Sequence, residues 1–152
     1  MTPSHHDFPI AQDLSEVMRM NVWLDGVMAA HGVDKTLSDE VKVCLDEAVT
    51  NVLSYAFDDP GAARADLRVS VAPDAIVARL VDAGRPFDPL SVENPGPVEN
   101  IADTPIGGLG IGIMRRLASS VGYLRDGERN ILTLRFDRQA PGSAAASGAD
   151  PR

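Results

Sequence analysis

The sequence predicts an α/β domain, and three observations carry that expectation. Apolar residues recur at helical spacing between residues 12 and 30, and again after Ser38. Two short segments alternate with period two around Pro73-Asp74. A glycine-rich stretch then opens a third helical pattern, and one more strand-like run follows it.

Taken in order, Met1 to Asp7 reads as flexible, and residues 1–9 are expected to be a flexible N-terminus. His5 and His6 are adjacent, without the spaced His, Cys or carboxylate partners that a metal site needs. Leu14, Val17, Met18, Asn21, Leu24 and Met28 fall at helical spacing and make residues 12–30 an amphipathic helix. His31-Gly32 stops it, with His31 complementing the helix dipole. Ser38 is expected to start a second helix, with Asp39 and Glu40 in its first turn. Val41, Leu45, Ala48 and Val52 share one of its faces, and "DDPG" (Asp58 to Gly61) ends it. "DLRVSVAP" and "DAIVARLVD" make a strand pair, and residues 83–106 read as a loop rich in Pro, Asn and Gly. A helix follows the glycines to about Ser120, and "ERNILTLRFDR" closes the fold as a strand. The last stretch, "APGSAAASGADPR", has the composition of disorder.

Bulk properties narrow the function. A chain of 152 residues is one domain's worth, and its 44% apolar content is that of a globular protein. A net charge of −8 argues against a nucleic-acid footprint, which requires a basic face. The single cysteine, Cys44, excludes a disulfide within the chain. No basic-then-apolar leader pattern is present, and no apolar run approaches the roughly 20 residues that span a bilayer. The expectation is a soluble cytoplasmic protein.

Three stretches put polar groups where packing does not need them. "DEAVTN" sets Glu47 and Asn51 one turn apart on one helix face, with Cys44 and Tyr55 continuing that face. An Asn oxygen can ligate Mg²⁺ and a Glu can act as a general base. Taken alone, the pair also fits a solvated helix face. In "VDAGRPFDP", Asp82 ends an apolar strand and Gly84 follows two residues later. The carboxylate suits the 6-amino group of adenine and repels the oxygen that guanine presents there. A plain turn would use the same residue types. "GGLGIGIMRRL" holds four glycines in six residues and feeds a helix. It lacks the Gly-Lys-Ser/Thr of a Walker A loop, and it leaves a helix N-terminus suited to an anion.

In this order the three stretches resemble the superfamily of gyrase, histidine-kinase and heat-shock-chaperone ATPases. Within it, "EAVTN", "DAGRPFDP" and "GGLGIGIMRRL" are similar to the bacterial anti-sigma-factor serine/threonine kinases. The Arg-Pro-Phe-Asp-Pro run is the most specific element, and the resemblance covers about residues 10–137. It implies an α/β two-layer sandwich with a mixed, mostly antiparallel sheet and helices on one face, the histidine-kinase-like ATPase fold. That domain would occupy residues 10–138, with a disordered tail over 139–152. The resemblance also implies ATP lying between helices and a lid, with Mg²⁺ held by Asn51 and Glu47 as catalytic base. Asp82 and Gly84 would receive adenine, and Gly107, Gly108 and Gly110 would frame the phosphates. Phe87, Leu109, Ile111 and Gly112 complete the implied nucleotide-binding set.

Members of that kinase family bind a sigma factor in stress-linked transcription regulation, phosphorylate an anti-anti-sigma protein of the STAS type, and form homodimers. The resemblance implies these partners here, with no direct nucleic-acid or membrane contact. A nucleotide-gated protein-binding module without phosphotransfer is the alternative. Tyr55 stands where relatives often carry His, and Ser119-Ser120 where an acidic pair is common. Asn130 lies near where distant relatives use a Thr by the adenine, and the sequence assigns it no role.

Overall fold

The computed structural model describes residues 2–11, 13–58, 64–86, 88 and 108–139. Phe87, Gly107, most of the expected loop over 83–106 and the tail beyond 139 lie outside the described residues. The elements run β1 (Ser4–Ala11), α1 (Ser15–Ala30), α2 (Lys35–Tyr55), β2 (Arg64–Val71), β3 (Ala75–Asp82), α3 (Gly108–Leu117), β4 (Ser120–Asp126) and β5 (Arg129–Asp137). The five strands form one sheet in the order β1-β2-β3-β5-β4, and every pairing among the described residues is antiparallel.

Period-two alternation decides which face is buried. Leu67, Leu80 and Leu132 are register partners on one face, as are Val69, Ala78 and Leu134. These residues join Met20, Leu24, Val41, Leu45 and Met114 of the helices in a single core. The helices therefore cover one face, giving two layers. Asp7, Arg68 and Arg79 line up on the other face, where Asp7 and Arg68 form a bidentate ion pair at 2.7 and 3.0 Å.

Several local expectations change. The segment read as a flexible N-terminus is strand β1 from Ser4 onward, because Phe8 and Ile10 are buried opposite Leu67 and Ala65. His6 is tied to the end of α1, with its Nε2 2.9 Å from Nε2 of His31. Pro9 is tolerated because β1 is an edge strand. In α1 the buried stripe is Met20, Leu24, Val27 and Met28, whereas Leu14 and Met18 face outward, Met18 at 74% exposed. Gly32, with φ of 63°, closes the C-terminus of α1 and donates its N–H to the Ala29 carbonyl at 3.2 Å.

Helix α2 starts at Lys35 rather than Ser38, since Asp34 caps it by accepting from Leu37 N–H at 2.8 Å. Helix α3 ends at Leu117, short of the expected Ser120, and a further strand, β4, follows in a segment to which the sequence assigns no element. A two-residue turn, Gly127-Glu128, joins β4 to β5, and the φ of 60° at Gly127 is one that glycine supplies without strain.

Candidate functional site

The site begins at the end of β3. Ala65, Asp82 and Asn130 are register partners across β2, β3 and β5, and Arg125 of β4 continues the row. This row lies on the helix-facing side, so Asp82 and Asn130 are buried, at 6% and 4% exposed. Buried polar groups of this kind require partners. Asp82 Oδ1 accepts from Gly84 N–H and from Asn130 Nδ2, each at 2.9 Å. Asn130 Nδ2 also donates to the Arg85 carbonyl at 2.8 Å. Asn130 Oδ1 in turn accepts from the Tyr123 hydroxyl and from Arg125 at 3.2 Å. Arg125 donates as well to the Gly84 carbonyl at 2.8 Å, which ties the chain after β3 to the far edge of the sheet.

The same segment is fastened to α2. Arg85 N–H donates to the Ala56 carbonyl at 2.8 Å, and the Arg85 guanidinium pairs with Asp58. A Cβ on Gly84 would meet Ala56, so the glycine is needed for close packing of this loop on the helix end.

Ala56 caps α2, and Asn51 lies five residues earlier on it, buried at 8% exposed. Glu47, one turn before Asn51, is half-buried. The fold thus brings the Asp82–Gly84 turn to the end of the helix that carries Glu47 and Asn51. Tyr55 is exposed, while Cys44 is buried with its thiol pushed up to about 12 by burial and, secondarily, by Glu40 and Glu47. It is a core residue with no reactive thiolate. Next to Glu47, burial also raises the Asp46 carboxyl above its usual range, against the opposing pull of an Asn21 hydrogen bond and of Lys42.

Helix α3 packs on α2 and begins at Gly108, the second glycine of the cluster. Leu109, Gly110, Ile111 and Gly112 follow in its first turns, and a helix N-terminus is a place where an anion is favoured. Phe87 and Gly107 lie outside the described residues. Ser119, one of the departures noted above, has a structural use, its Oγ accepting from Asp137 N–H at 2.9 Å.

Tyr123 and Arg125 were not singled out by sequence, and Asn130 was placed near the expected adenine position without a role. The available signal was an Asn at an inward-facing strand position, but its partner is set by a β3–β5 register that no local pattern reveals. A separate concavity of about 470 Å³ lies on the helix-free face between Asp7, Pro9, Asp66, Arg68, Arg79 and Val81, and it does not include the Asp82 cluster.

Chemically, the cluster offers a fixed, buried carboxylate acceptor, a buried amide on the neighbouring helix, a half-buried carboxylate one turn away, and a helix N-terminus. Residues 10–136 match the histidine kinase-like ATPase domain. Over 112 residues the chain is 27% identical to a serine/threonine-protein kinase, BtrW, of Bordetella bronchiseptica, a match spanning 74% of this chain and 79% of that protein. The fold is similar to that in the crystal structure of the SiaB-SiaC complex from Pseudomonas aeruginosa, with a TM-score of 0.60, covering 88% of this chain and 89% of the other at 14% identity.

Proposed function

The chain belongs to the histidine kinase-like ATPase domain family, and from that premise we propose that it is an ATP-dependent serine/threonine kinase of the partner-switching type. In this reading it sequesters a sigma factor and phosphorylates a STAS-type anti-anti-sigma protein, working as a cytoplasmic homodimer. The observation that carries the nucleotide part is the Asp82 carboxylate, buried at the β3 end with two donors on Oδ1. A buried carboxylate so held is a strong acceptor, and the 6-amino group of adenine is the donor that matches it.

The remaining residues fit an adenine nucleotide with its metal. The Asn51 amide oxygen suits Mg²⁺, which takes oxygen ligands and keeps phosphate oxygens and waters as the rest. The glycine-rich N-terminus of α3 suits the phosphates. Bound Mg-ATP supplies the phosphoryl group and neutralises its charge. Glu47 then accepts the proton of the serine or threonine hydroxyl. The kinase part of the proposal is supported by the relative named as a serine/threonine-protein kinase. Among the described residues no helix is long and apolar enough to cross a membrane.

The test is a pull-down from the native host with and without Mg-ATP, followed by mapping of phosphoserine and phosphothreonine on the captured proteins. Nucleotide-dependent capture with transfer to one partner supports the kinase. Capture that depends on nucleotide but transfers nothing to any partner makes the chain a nucleotide-gated binding module.

A further inference from the structure

We propose that His6 and His31 form a two-imidazole chelate for a divalent transition ion of the Cu²⁺, Ni²⁺ or Zn²⁺ class, which staples the start of β1 to the end of α1. The proposal is independent of the nucleotide reading and concerns another part of the sheet. His6 is opposite Val69, and Val69 is opposite Ala78, four residues before Asp82 on β3. At about 3.3 Å per residue, the two places lie about 13 Å apart along the strands.

In the sequence His6 has only His5 beside it, and the alternation of β1 separates those two. His5 faces the helix-free side, where its Nδ1 lies 2.6 Å from the Ser70 hydroxyl. His6 faces the helices and meets a histidine from 25 positions away, their Nε2 atoms 2.9 Å apart. The ring centroids are 5.0 Å apart and the planes cross at 74°, so the imidazoles meet tip to tip. Both residues are half-buried, which leaves the pair open to water on one side.

In this arrangement one ring donates its Nε2–H and the other offers its Nε2 lone pair. An ion takes both lone pairs once the donor ring carries its proton on Nδ1 instead. The imidazoles stay neutral, and no proton leaves the pair. Zinc–imidazole bonds are about 2.0–2.1 Å long, and at that length two nitrogens at a right angle stand about 2.9 Å apart. The two Nε2 atoms already have that separation, and a tilt of the rings makes their lone pairs converge. Right-angled nitrogen pairs belong to tetragonal Cu²⁺ and Ni²⁺ sites, and imidazole suits Zn²⁺ as well. Mg²⁺ asks for oxygen ligands and does not compete. Among the described residues no three His, Cys, Asp or Glu side chains converge on one place, so waters complete the sphere. The His31 carbonyl accepts from Arg138 at 3.2 Å and is not a further ligand.

The full chain, stripped by a chelator that is then removed, is titrated calorimetrically with Cu²⁺, Ni²⁺ and Zn²⁺ in turn, in excess Mg²⁺. The expected result is one ion per chain and a higher melting temperature, since an ion that binds only the folded state stabilises it. His6→Gln and His31→Gln should each weaken binding by at least about tenfold, the least that losing even an outer partner costs a metal site. His5→Gln should leave affinity and thermal shift unchanged. Where a variant does not fold, acylation of the wild-type histidines by diethyl pyrocarbonate, mapped by mass spectrometry, decides the matter. The ion should shield His6 and His31 together and leave His5 reactive. Binding that survives His31→Gln at full affinity overturns the proposal. So does shielding of His5 and His6 with His31 still reactive, or a folded wild type that binds none of the three ions.

Discussion

Gly84 sits so close to Ala56 that a Cβ added to it would lie 2.4 Å from the Ala56 carbonyl oxygen and 2.6 Å from the Ala56 Cβ. The turn after β3 and the end of α2 are thereby locked together. Through this contact the carboxylate at the strand end and the Glu47–Asn51 helix keep a fixed relation. Arg85 N–H, bonded to the same carbonyl, holds the arrangement from the next residue.

Gly84→Ala should destabilise the fold by about 1–3 kcal/mol, the range for forcing extra volume into a packed place. The obstacle is backbone rather than the tip of a flexible side chain, so relaxation has to move the helix end or the turn. Chemical denaturation reads this directly. An unchanged midpoint would show that the Gly84–Ala56 contact is looser than described.

Asp46 gives a pH prediction. Burial raises its carboxyl above the ordinary value of 3.8, so the folded chain holds that proton more tightly than the unfolded chain does. Stability from this group then falls as pH rises through the window above 3.8, and at neutral pH the ionised carboxylate is a standing cost. Among the described residues, its Oδ1 atom and that of Asn21 are both buried without a hydrogen-bond partner. Asp46→Asn should therefore raise the melting temperature at pH 7, and the gain should shrink as pH drops toward 4. A variant that melts lower than the wild type at pH 7 would contradict this account.

Much of the fold was legible, and the misses have physical causes. The β2–β3 pair showed itself because Leu67, Val69, Ala78 and Leu80 alternate cleanly and Pro73-Asp74 marks the turn. Strand β1 was hidden because His5, His6 and Asp7 are polar, Pro9 breaks the pattern, and only Phe8 and Ile10 are buried. Strand β4 was hidden because it is a sheet edge whose positions alternate between half-buried and exposed, with no fully buried residue. At the site, Asp82 and Gly84 were visible as a motif in the chain. Asn130 was noticed only through the family resemblance and given no role, because its hydrogen bond is to a residue 48 positions away.

Glu47 and Asn51 share a helix face, yet their substitutions should part company. Asn51→Ala should weaken Mg-ATP binding and phosphotransfer together. Glu47→Gln should leave nucleotide affinity within about twofold of the wild type while slowing single-turnover transfer by about 10²–10⁴-fold, the usual range for a general base. Transfer at the wild-type rate by Glu47→Gln would remove Glu47 from the chemistry.

Titration of Mg-ATP and Mg-GTP into the wild-type chain tests the central claim most directly, because it asks only whether the Asp82 carboxylate receives an adenine. The account predicts saturable ATP binding at least about tenfold tighter than GTP, as expected when a charged acceptor meets the 6-amino group in one case and an oxygen in the other. Equal affinity for the two nucleotides, or no ATP binding by the folded chain, would contradict it.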